Sequence, residues 1–406
     1  MAALRGTHRI HKGDGLEFCE HDFNVGRPRR AAPTVRSMLI KISRVVLRRV
    51  RVPFVEPFRI SNGVVAEKDA ILIELTTDEG TVGWGEASPM SGAFYSSDTP
   101  DNSWTVLKDQ FVPALLSLDH VDAPRFYEVL REQSGDQFSR TGIEGALWDA
   151  YANTRQMALC ELFGIQPHAV PSGVAIGIFE SVDELLGRVR RYVAEGYQRV
   201  KIKIQPGWDV EPVAAVRVQF PDVPLMVDAN AAYTIDDLPI FHELDRFHLL
   251  MIEQPLAASA IAEAGELQSQ LNTPLCADES AESLAAVDQL IKHEAARIIN
   301  IKVQRVGGLS EALLMLQTAR AAGLRCWVGT MPELGIASAH ALQLAMHEGF
   351  SFPTDIEASS RWYVDDIVEP AITIDKRGFI EIPRGGFSVS REKVARYTTA
   401  TEKVVS

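Results

Sequence analysis

Three carboxylates recur at a constant interval in the middle of the chain. Asp228, Glu253 and Asp278 are 25 residues apart, and each lies at the end of a short apolar run. Neighbouring strands of a sheet are about 4.8 Å apart, so acids that end consecutive strands can converge on one ion. Buried together without a cation, they would lose several kcal/mol to desolvation. Because the donors are all oxygens, the pattern predicts a Mg²⁺ site, with Mn²⁺ as a substitute.

Two polar residues follow these acids closely. Asn230 lies two residues after Asp228 and shares its face under a period of two, so we expect it to orient the ligands or contact the substrate. Glu279 follows Asp278 directly and faces the opposite way, which favours a structural role. For each acid taken alone, an ordinary ion pair at a strand end is the alternative.

Three lysines accompany the carboxylates. Lys201 and Lys203 share a face of one strand, where adjacent ammonium groups are expected to lower each other's pKa and yield a general base. Lys302 follows Asp278 by 24 residues. In an eight-stranded barrel its strand lies opposite that of Lys203, so the two amines would flank a substrate. The set predicts removal of the proton beside a metal-bound carboxylate through an enediolate, followed by racemisation or elimination.

A barrel is the fold that would position these residues. Short apolar or β-branched runs alternate with amphipathic stretches of helical length, and their starts lie about 22 to 28 residues apart, the length of one strand, loop and helix. Eight such units predict an α/β protein with a closed (β/α)8 barrel, whose chemistry lies at the carboxyl ends of the strands. The runs are at 173–178, 199–204, 224–229, 249–254, 274–279, 297–303, 325–330 and 350–355.

The sequence outside the barrel predicts further regions. Strand-like and then helical patterns predict an α+β domain over 38–165, ahead of a barrel over 166–356. The segment 357–406 contains a hairpin-like piece at 372–383 that could return to the first domain. Residues 1–37 have many arginines and no apolar period, so we expect a flexible extension, with a targeting or interaction arm as the alternative.

Composition excludes several classes of protein. With 406 residues, 46% hydrophobic and 23% charged, the chain is neither disordered nor fibrous. A formal charge of −13 disfavours a nucleic-acid surface. Four scattered cysteines argue against a disulfide framework and favour the cytoplasm. No apolar stretch reaches membrane-spanning length, and no GxGxxG motif supports a nicotinamide enzyme.

The chemical motifs resemble those of the enolase superfamily, in its mandelate racemase and muconate lactonizing enzyme branch. The resemblance implies an N-terminal capping domain on a modified TIM barrel, with the tail packed on the cap and symmetric homo-oligomers common. It also implies that the three phased carboxylates bind Mg²⁺ and that Lys203 and Lys302 are the acid and base. The motifs are Lys201-Ile202-Lys203, Asp228-Ala229-Asn230, Ile252-Glu253-Gln254-Pro255, Asp278-Glu279-Ser280 and Asn300-Ile301-Lys302.

Within this branch the chain is most similar to the o-succinylbenzoate synthase and N-acylamino acid racemase group. That likeness implies dehydration to o-succinylbenzoate, racemisation of N-acylamino acids, or both. Cap loops near 59–63 and 92–98 correspond to substrate-covering loops, which makes Arg59, Ser61 and Tyr95 candidate contacts. The matching segments are Pro57-Phe58-Arg59, Gly83-Trp84-Gly85-Glu86, Tyr95-Ser96-Ser97, 203–209 and Val306-Gly307-Gly308.

Two segments depart from that group. Residues 329–335 are closer to the muconate lactonizing pattern, and the pair Asp355 and Glu357 resembles the acids with which dipeptide epimerases hold an ammonium group. Glu333 and Asp355 are therefore candidates to line the pocket, with helix-capping or salt-bridge roles as the alternative, and His340 is predicted to be structural. A cycloisomerase or a dipeptide epimerase remains the alternative, and a non-catalytic carboxylate-binding protein is a remote one.

Overall fold

The computed structural model describes residues 39–60, 63–91, 98–133 and 135–405, with the side chains of all but 58–60 and 63–64. Some predictions lie outside this part of the chain. They concern the extension 1–37, Ser61, Tyr95 and the side chain of Arg59.

The cap is built on a four-stranded antiparallel sheet in the order β15-β1-β2-β3. The strands are β1 (Ile42–Ile60), β2 (Gly63–Thr77), β3 (Val82–Ala87) and β15 (Thr398–Val405). A tight turn joins β2 to β3, and Gly80 in it has a φ of +85°, which a residue with a side chain rarely adopts. The sheet therefore joins the start of the described chain to its final strand.

Helices cover this sheet, and α4 lies directly against β3. A Cβ on Gly83 would lie 2.3 Å from the backbone oxygen of Ala146, and one on Gly85 would lie 1.9 Å from that of Gly142. Only glycine permits so close an approach, which gives the Gly-x-Gly spacing a packing reason. The helices are α1 (Pro100–Val106), a π-helical turn (Leu107–Phe111), α2 (Val112–Leu116), α3 (Ala123–Arg131), α4 (Gln137–Arg155) and α5 (Leu159–Leu162).

The barrel contains seven parallel strands whose spatial order follows the sequence. The eighth predicted run, 350–355, forms two isolated parallel bridges, Cys326 to Phe350 and Ser172 to Thr354, so it closes the barrel without forming a full strand. Pro353 has no N–H to donate, which explains the interruption. The strands are β5 (Val174–Ile176), β6 (Val200–Lys203), β7 (Leu225–Asp228), β8 (Ile252–Glu253), β9 (Leu275–Ala277), β10 (Ile298–Ile301) and β11 (Arg325–Val328).

Helices alternate with these strands, and α6 illustrates how the sequence sets their ends. The Ser181 hydroxyl accepts a hydrogen bond from the backbone of Glu184, and Gly196 ends the helix in the left-handed conformation. The helices are α6 (Val182–Glu195), α7 (Val210–Gln219), α8 (Leu238–Leu244), α9 (Ile261–Ser269), α10 (Leu284–Lys292), α11 (Val303–Val306), α12 (Leu309–Ala321) and α13 (Gly335–Ala345), with 3₁₀ turns at Ile235–Asp237 and Asp245–Phe247. The predicted modified TIM barrel with an α+β cap is confirmed.

A dry cluster fills the barrel beneath the polar strand ends. Met226, Met251, Cys276, Ile298 and Trp327 are at most 1% exposed and pack together. The barrel is therefore a packed core rather than an open channel.

The C-terminal region reaches both domains. The hairpin-like piece pairs with the segment that precedes the first barrel strand. Its strand β13 (Phe379–Ile380) lies antiparallel to β4 (Val170–Pro171). The segment that returns to the cap sheet is instead β15, which pairs with β1. Its other elements are α14 (Ser359–Trp362), β12 (Val368–Glu369), β14 (Ser388–Val389) and α15 (Arg391–Tyr397). None of the helices in the described ranges has the length and apolar character needed to cross a bilayer.

Candidate active site

The structure brings the predicted lysines and carboxylates together at the carboxyl ends of neighbouring strands. Lys203 on β6 lies beside Asp228 on β7, which lies beside Glu253 on β8. Asp278 directly follows β9 and Lys302 directly follows β10. The three carboxylates are at most 1% exposed. The strand order therefore forms a row of acids with an amine at each end.

Ion pairs link the first half of this row. The Lys203 Nζ lies 2.6 Å from Asp228 Oδ2, and the Lys201 Nζ lies 3.1 Å from Glu253 Oε2 and 3.6 Å from Asp228 Oδ2. The exposed fraction of the Lys203 side chain is 31%, against 4% for Lys201. Lys203 thus reaches the opening of the barrel, whereas Lys201 is enclosed.

The second half of the row centres on Asp278. The Lys302 Nζ lies 2.9 Å from its Oδ2, and the Arg305 Nη1 lies 2.9 Å from its Oδ1. Burial opposes ionisation of Asp278, but Arg305 and Lys302 outweigh it and hold its pKa far below the usual range. Asp278 is therefore a permanent anion held between two cations.

The donor set fits a hard divalent cation. Burial and the neighbouring Asp228 raise the pKa of Glu253 to about 8, so adding a negative charge to this row is unfavourable without a further cation. Oxygen donors on three adjacent strands are the ligands that Mg²⁺ or Mn²⁺ prefers. Among the described residues no three acid, histidine or cysteine side chains stand together as a ready metal cluster, and lysine amines lie between these acids instead.

The environment of Lys201 contradicts the prediction of a lowered pKa. Its Nζ lies 2.5 Å from Asp355 Oδ2 as well as close to Glu253. Burial lowers the pKa of Lys201, but Asp355, Glu253 and Asp228 together outweigh burial and raise it. The second ammonium group matters less than these acids. These acids hold Lys201 as a cation, which favours a charge-balancing role over that of a base near neutral pH.

Asp355 forms the ion pairs that were the alternative to a role in substrate binding. Its Oδ2 accepts from Lys201, and its Oδ1 accepts from the fully buried Arg199. Both oxygens are therefore engaged within the barrel, which leaves Asp355 as a counter-ion beneath the site. Glu357, the other acid of this pair, accepts from the backbone N–H of Ala175. The pair does not form an open cradle for a substrate ammonium group.

Asn230 lies beside the exposed lysine. Its Oδ1 accepts a 2.5 Å hydrogen bond from the Lys203 Nζ, and its Nδ2 donates to Glu279 Oε1 at 3.1 Å. Asn230 has a φ of +42°, a conformation that asparagine tolerates better than most residues. Asn230 therefore orients Lys203, and Glu279 in turn holds Asn230.

Glu333 faces this region from the loop after β11. Its Oε1 accepts from the backbone N–H of Met331 at 3.3 Å, and its buried Oε2 has no hydrogen-bond partner among the described residues. Burial and the nearby Glu86 raise the pKa of Glu333 to about 8. Glu333 and Asp355 line a cavity of about 20 Å³, enough for one water molecule. At neutral pH Glu333 can therefore carry a proton.

Sequence reasoning missed three residues of this site. Arg199 precedes Lys201 by two positions, and their shared strand face was the available signal. Arg305 lies one helical turn after Lys302, which gave no comparable signal. Asn300, which donates to Glu253 Oε1 at 2.6 Å, lay within a motif already noted. The three position charges that the sequence pattern had identified.

Comparison with known proteins agrees with this geometry. Residues 42–164 match the family model for the mandelate racemase / muconate lactonizing enzyme N-terminal domain, and residues 184–393 match the enolase C-terminal domain-like model. The chain is 40% identical to an o-succinylbenzoate synthase of Geobacillus kaustophilus, over 89% of this chain and 97% of the relative. It is also 40% identical to an N-succinylamino acid racemase of an Amycolatopsis species, over 89% and 98%.

A solved structure shows the same architecture. The enolase-superfamily protein from Listeria innocua Clip11262 superposes with a TM-score of 0.87 at 34% identity, covering 90% of this chain and 99% of that protein. Both domains are thus shared in sequence and in fold. The chain belongs to the enolase superfamily, in its mandelate racemase and muconate lactonizing enzyme branch, and it is an enzyme.

Proposed function

We propose that this enzyme removes the proton from the carbon beside a substrate carboxylate, and that it forms o-succinylbenzoate by dehydration, racemises N-acylamino acids, or does both. The observation that carries the proposal is the row of carboxylates on β7, β8 and β9 with Lys203 and Lys302 on the strands at either side. The names of the two relatives at 40% identity support this choice of reactions.

Asp228, Glu253 and Asp278 would hold Mg²⁺, or Mn²⁺ in its place. A cation bound there supplies Lewis-acid stabilisation of negative charge on the carboxylate oxygens. Lys201, an enclosed cation, attracts and orients the substrate carboxylate.

The two outer lysines move the protons. In racemisation one amine takes the proton from one face of the carbon, and the other ammonium returns a proton to the opposite face. In dehydration the same abstraction is followed by loss of the hydroxyl group from the neighbouring carbon, which leaves as water after an ammonium group has donated a proton to it. Glu333, which can carry a proton near neutral pH, is the candidate contact on the cap side of the substrate.

Solvent deuterium tests the proposal. We expect deuterium to enter the carbon beside the carboxylate of both enantiomers of an N-succinylamino acid, and Lys203→Ala to reduce this exchange about 10³-fold for the enantiomer whose proton faces Lys203. Lys292→Ala, an exposed lysine on α10, is the matched control and should exchange at the wild-type rate. Unchanged exchange in Lys203→Ala would show that the base has been wrongly assigned.

A substrate panel separates the alternatives. Engagement of Asp355 by Arg199 and Lys201 removes the main reason for proposing a dipeptide epimerase. Muconates and dipeptides are nevertheless measured beside the acyl amino acids and the o-succinylbenzoate precursor. A higher kcat/KM for muconates or for dipeptides would show that the enzyme acts on that class instead of the proposed one. A small-molecule partner, homo-oligomeric assembly and a cytoplasmic location remain predictions.

A further inference from the structure

The cap meets the barrel at a buried polar cluster beside the site, which we call the cap junction. It joins the end of β3 to the two barrel loops that carry Lys302 and Glu333. Its side chains are at most 6% exposed, and they belong to Lys68, Glu86, Ser88, Gln304 and Glu333.

Glu86 connects the cap to the start of α13. Its Oε1 accepts from the backbone N–H of Leu334 at 2.7 Å, and its Oε2 accepts from that of Ala337 at 2.9 Å. The Ser88 hydroxyl also donates to Oε1. A carboxylate at a helix N-terminus satisfies amides that have no partner within the helix. Leu334 directly follows Glu333, so Glu86 restrains the backbone next to that side chain.

Gln304 makes a second connection, two residues after Lys302. Its Nε2 donates to the backbone oxygen of Glu86 at 2.7 Å, and its Oε1 accepts from the backbone N–H of Ser88 at 3.0 Å. The side-chain amide thus pairs with the end of β3 as another strand would. The Thr141 hydroxyl on α4 adds a bond to the backbone oxygen of Val303 at 3.1 Å.

Lys68 supports the cap side of the junction. Its Nζ donates to the backbone oxygens of Ser88 and Pro89, at 2.7 and 2.9 Å. These carbonyls hold the chain where it leaves β3. The same short segment of the cap therefore contacts the segments after β10 and after β11, which carry the candidate catalytic Lys302 and the candidate substrate contact Glu333.

We propose that Glu86 and Gln304 are positioning residues through which the cap holds Lys302 in place for proton transfer and Glu333 in place for contact with the substrate. The inference rests on the proposed function. A small misplacement of a reacting group can reduce a rate about 10²-fold, so such restraints affect turnover more than binding.

Glu144 supplies an internal comparison. It is also a buried cap carboxylate, and it accepts from the backbone N–H groups of Leu309 and Ser310 at the start of α12, at 2.8 and 3.1 Å. Its contacts begin seven residues after Lys302. Glu144 therefore anchors the cap in the same chemical manner without bordering a candidate catalytic residue.

The test compares Glu86→Gln with Glu144→Gln. In each variant an amide nitrogen replaces one acceptor, so one backbone N–H loses its partner. We expect Glu86→Gln to lower kcat about 10- to 100-fold with KM within threefold of wild type, and Glu144→Gln to leave kcat within threefold. Glu74→Gln, in the same sheet but paired with Arg48 and Arg391, is the control for loss of a buried cap carboxylate.

A double-mutant cycle identifies the residue through which Glu86 acts. Glu86→Gln combined with Glu333→Gln should be no slower than Glu333→Gln alone. Gln304→Leu should lower the exchange rate without loss of Mg²⁺ binding, measured by calorimetry. If Glu86→Gln does not fold, Ser88→Ala removes a single bond to Glu86 and should lower kcat about threefold.

Failure of the proposed function can be distinguished from failure of the positioning role. Absence of exchange by the wild-type enzyme on the whole carboxylate panel refutes the proposed function. With wild-type exchange present, equal kcat values for Glu86→Gln and Glu144→Gln, or fully additive losses in the cycle, refute the positioning role while leaving the function intact.

Discussion

The carboxylates in the barrel and those at the cap junction are stabilised in different ways. In the barrel, Asp228, Glu253, Asp278 and Asp355 each have a lysine or arginine nitrogen within 3.1 Å. At the junction, Glu86 and Glu333 are held by backbone N–H groups, and within the part of the chain that the structure describes one oxygen of Glu333 has no hydrogen-bond partner. The barrel acids are thus paired with cationic side chains, whereas the junction acids are held mainly by neutral donors.

Removing metal gives the largest expected effect and tests the barrel. We expect dialysis against a chelator to reduce exchange about 10³-fold or more, because Lewis-acid stabilisation supplies several kcal/mol. Added Mg²⁺ should restore the rate. The ion pairs between the barrel carboxylates and lysines should keep the metal-free protein folded. Circular dichroism measures this. Full turnover after stripping, or unfolding caused by it, would contradict this view of the barrel.

The next largest effect is expected from breaking one buried ion pair. Asp355→Asn leaves the fully buried Arg199 and the enclosed Lys201 without their shared anion, so unfolding free energy should fall by about 3 to 5 kcal/mol. Asp365→Asn, whose partners Lys393 and Arg396 lie nearer the surface, should cost about 1 kcal/mol or less. Urea denaturation measures both. Equal losses would show that burial does not distinguish these pairs.

Glu333→Gln tests the pH dependence of the junction. The folded pKa of Glu333 is raised to about 8, so between its unfolded value, 4.5, and about pH 8 the folded state binds a proton that the unfolded state has released. Stability should therefore fall as pH rises, by up to about 1.4 kcal/mol per pH unit from this residue. The variant should flatten that slope in urea denaturation between pH 5 and 8.

Glu74→Gln provides the opposite control. Burial raises the pKa of Glu74, but Arg48 and Arg391 outweigh it and lower the pKa below 4.5. Its stabilising contribution is therefore complete above that pH and is lost only on further acidification. An unchanged slope in Glu333→Gln, or a slope flattened equally by Glu74→Gln, would contradict the contrast between the two regions.

The smallest effect concerns Lys203. Because its side chain is 31% exposed, Lys203→Ala should change the unfolding free energy by about 1 kcal/mol or less. Lys201→Ala should destabilise much more, since it leaves Glu253 and Asp355 without their common cation. Denaturation of the two variants side by side checks this. Similar losses would mean that both lysines are structural.

The barrel half of the site was largely predictable from sequence. A spacing of 25 residues repeats the strand, loop and helix unit, so Asp228, Glu253 and Asp278 had to reach the same end of the barrel. The charge state of Lys201 could not be predicted in this way. It depends on Asp355, which is 154 residues away and reaches Lys201 only because the barrel closes.

The contacts of the cap junction could be predicted less well from sequence, for the same reason. Glu86 lies in a motif noted in the sequence, yet its partner Leu334 is 248 residues away on the other domain. Gln304 and Ser88 are separated by 216 residues. Local patterns report strands, helices and faces, but which domain surface meets which loop follows from packing. The shortened eighth strand was more predictable. Pro353 was a local signal against a full strand, but the regular spacing of the runs favoured one.

The pairing of β15 with β1 has a consequence for biosynthesis. The Thr399 hydroxyl bonds to the backbone oxygen of Arg49, 350 residues earlier. During translation, β1 emerges before β15, and it cannot pair with β15 until the barrel segments between them have been synthesised. One edge of the nascent sheet stays open to wrong partners throughout that interval. The cap sheet is therefore completed only after the barrel segments have been synthesised.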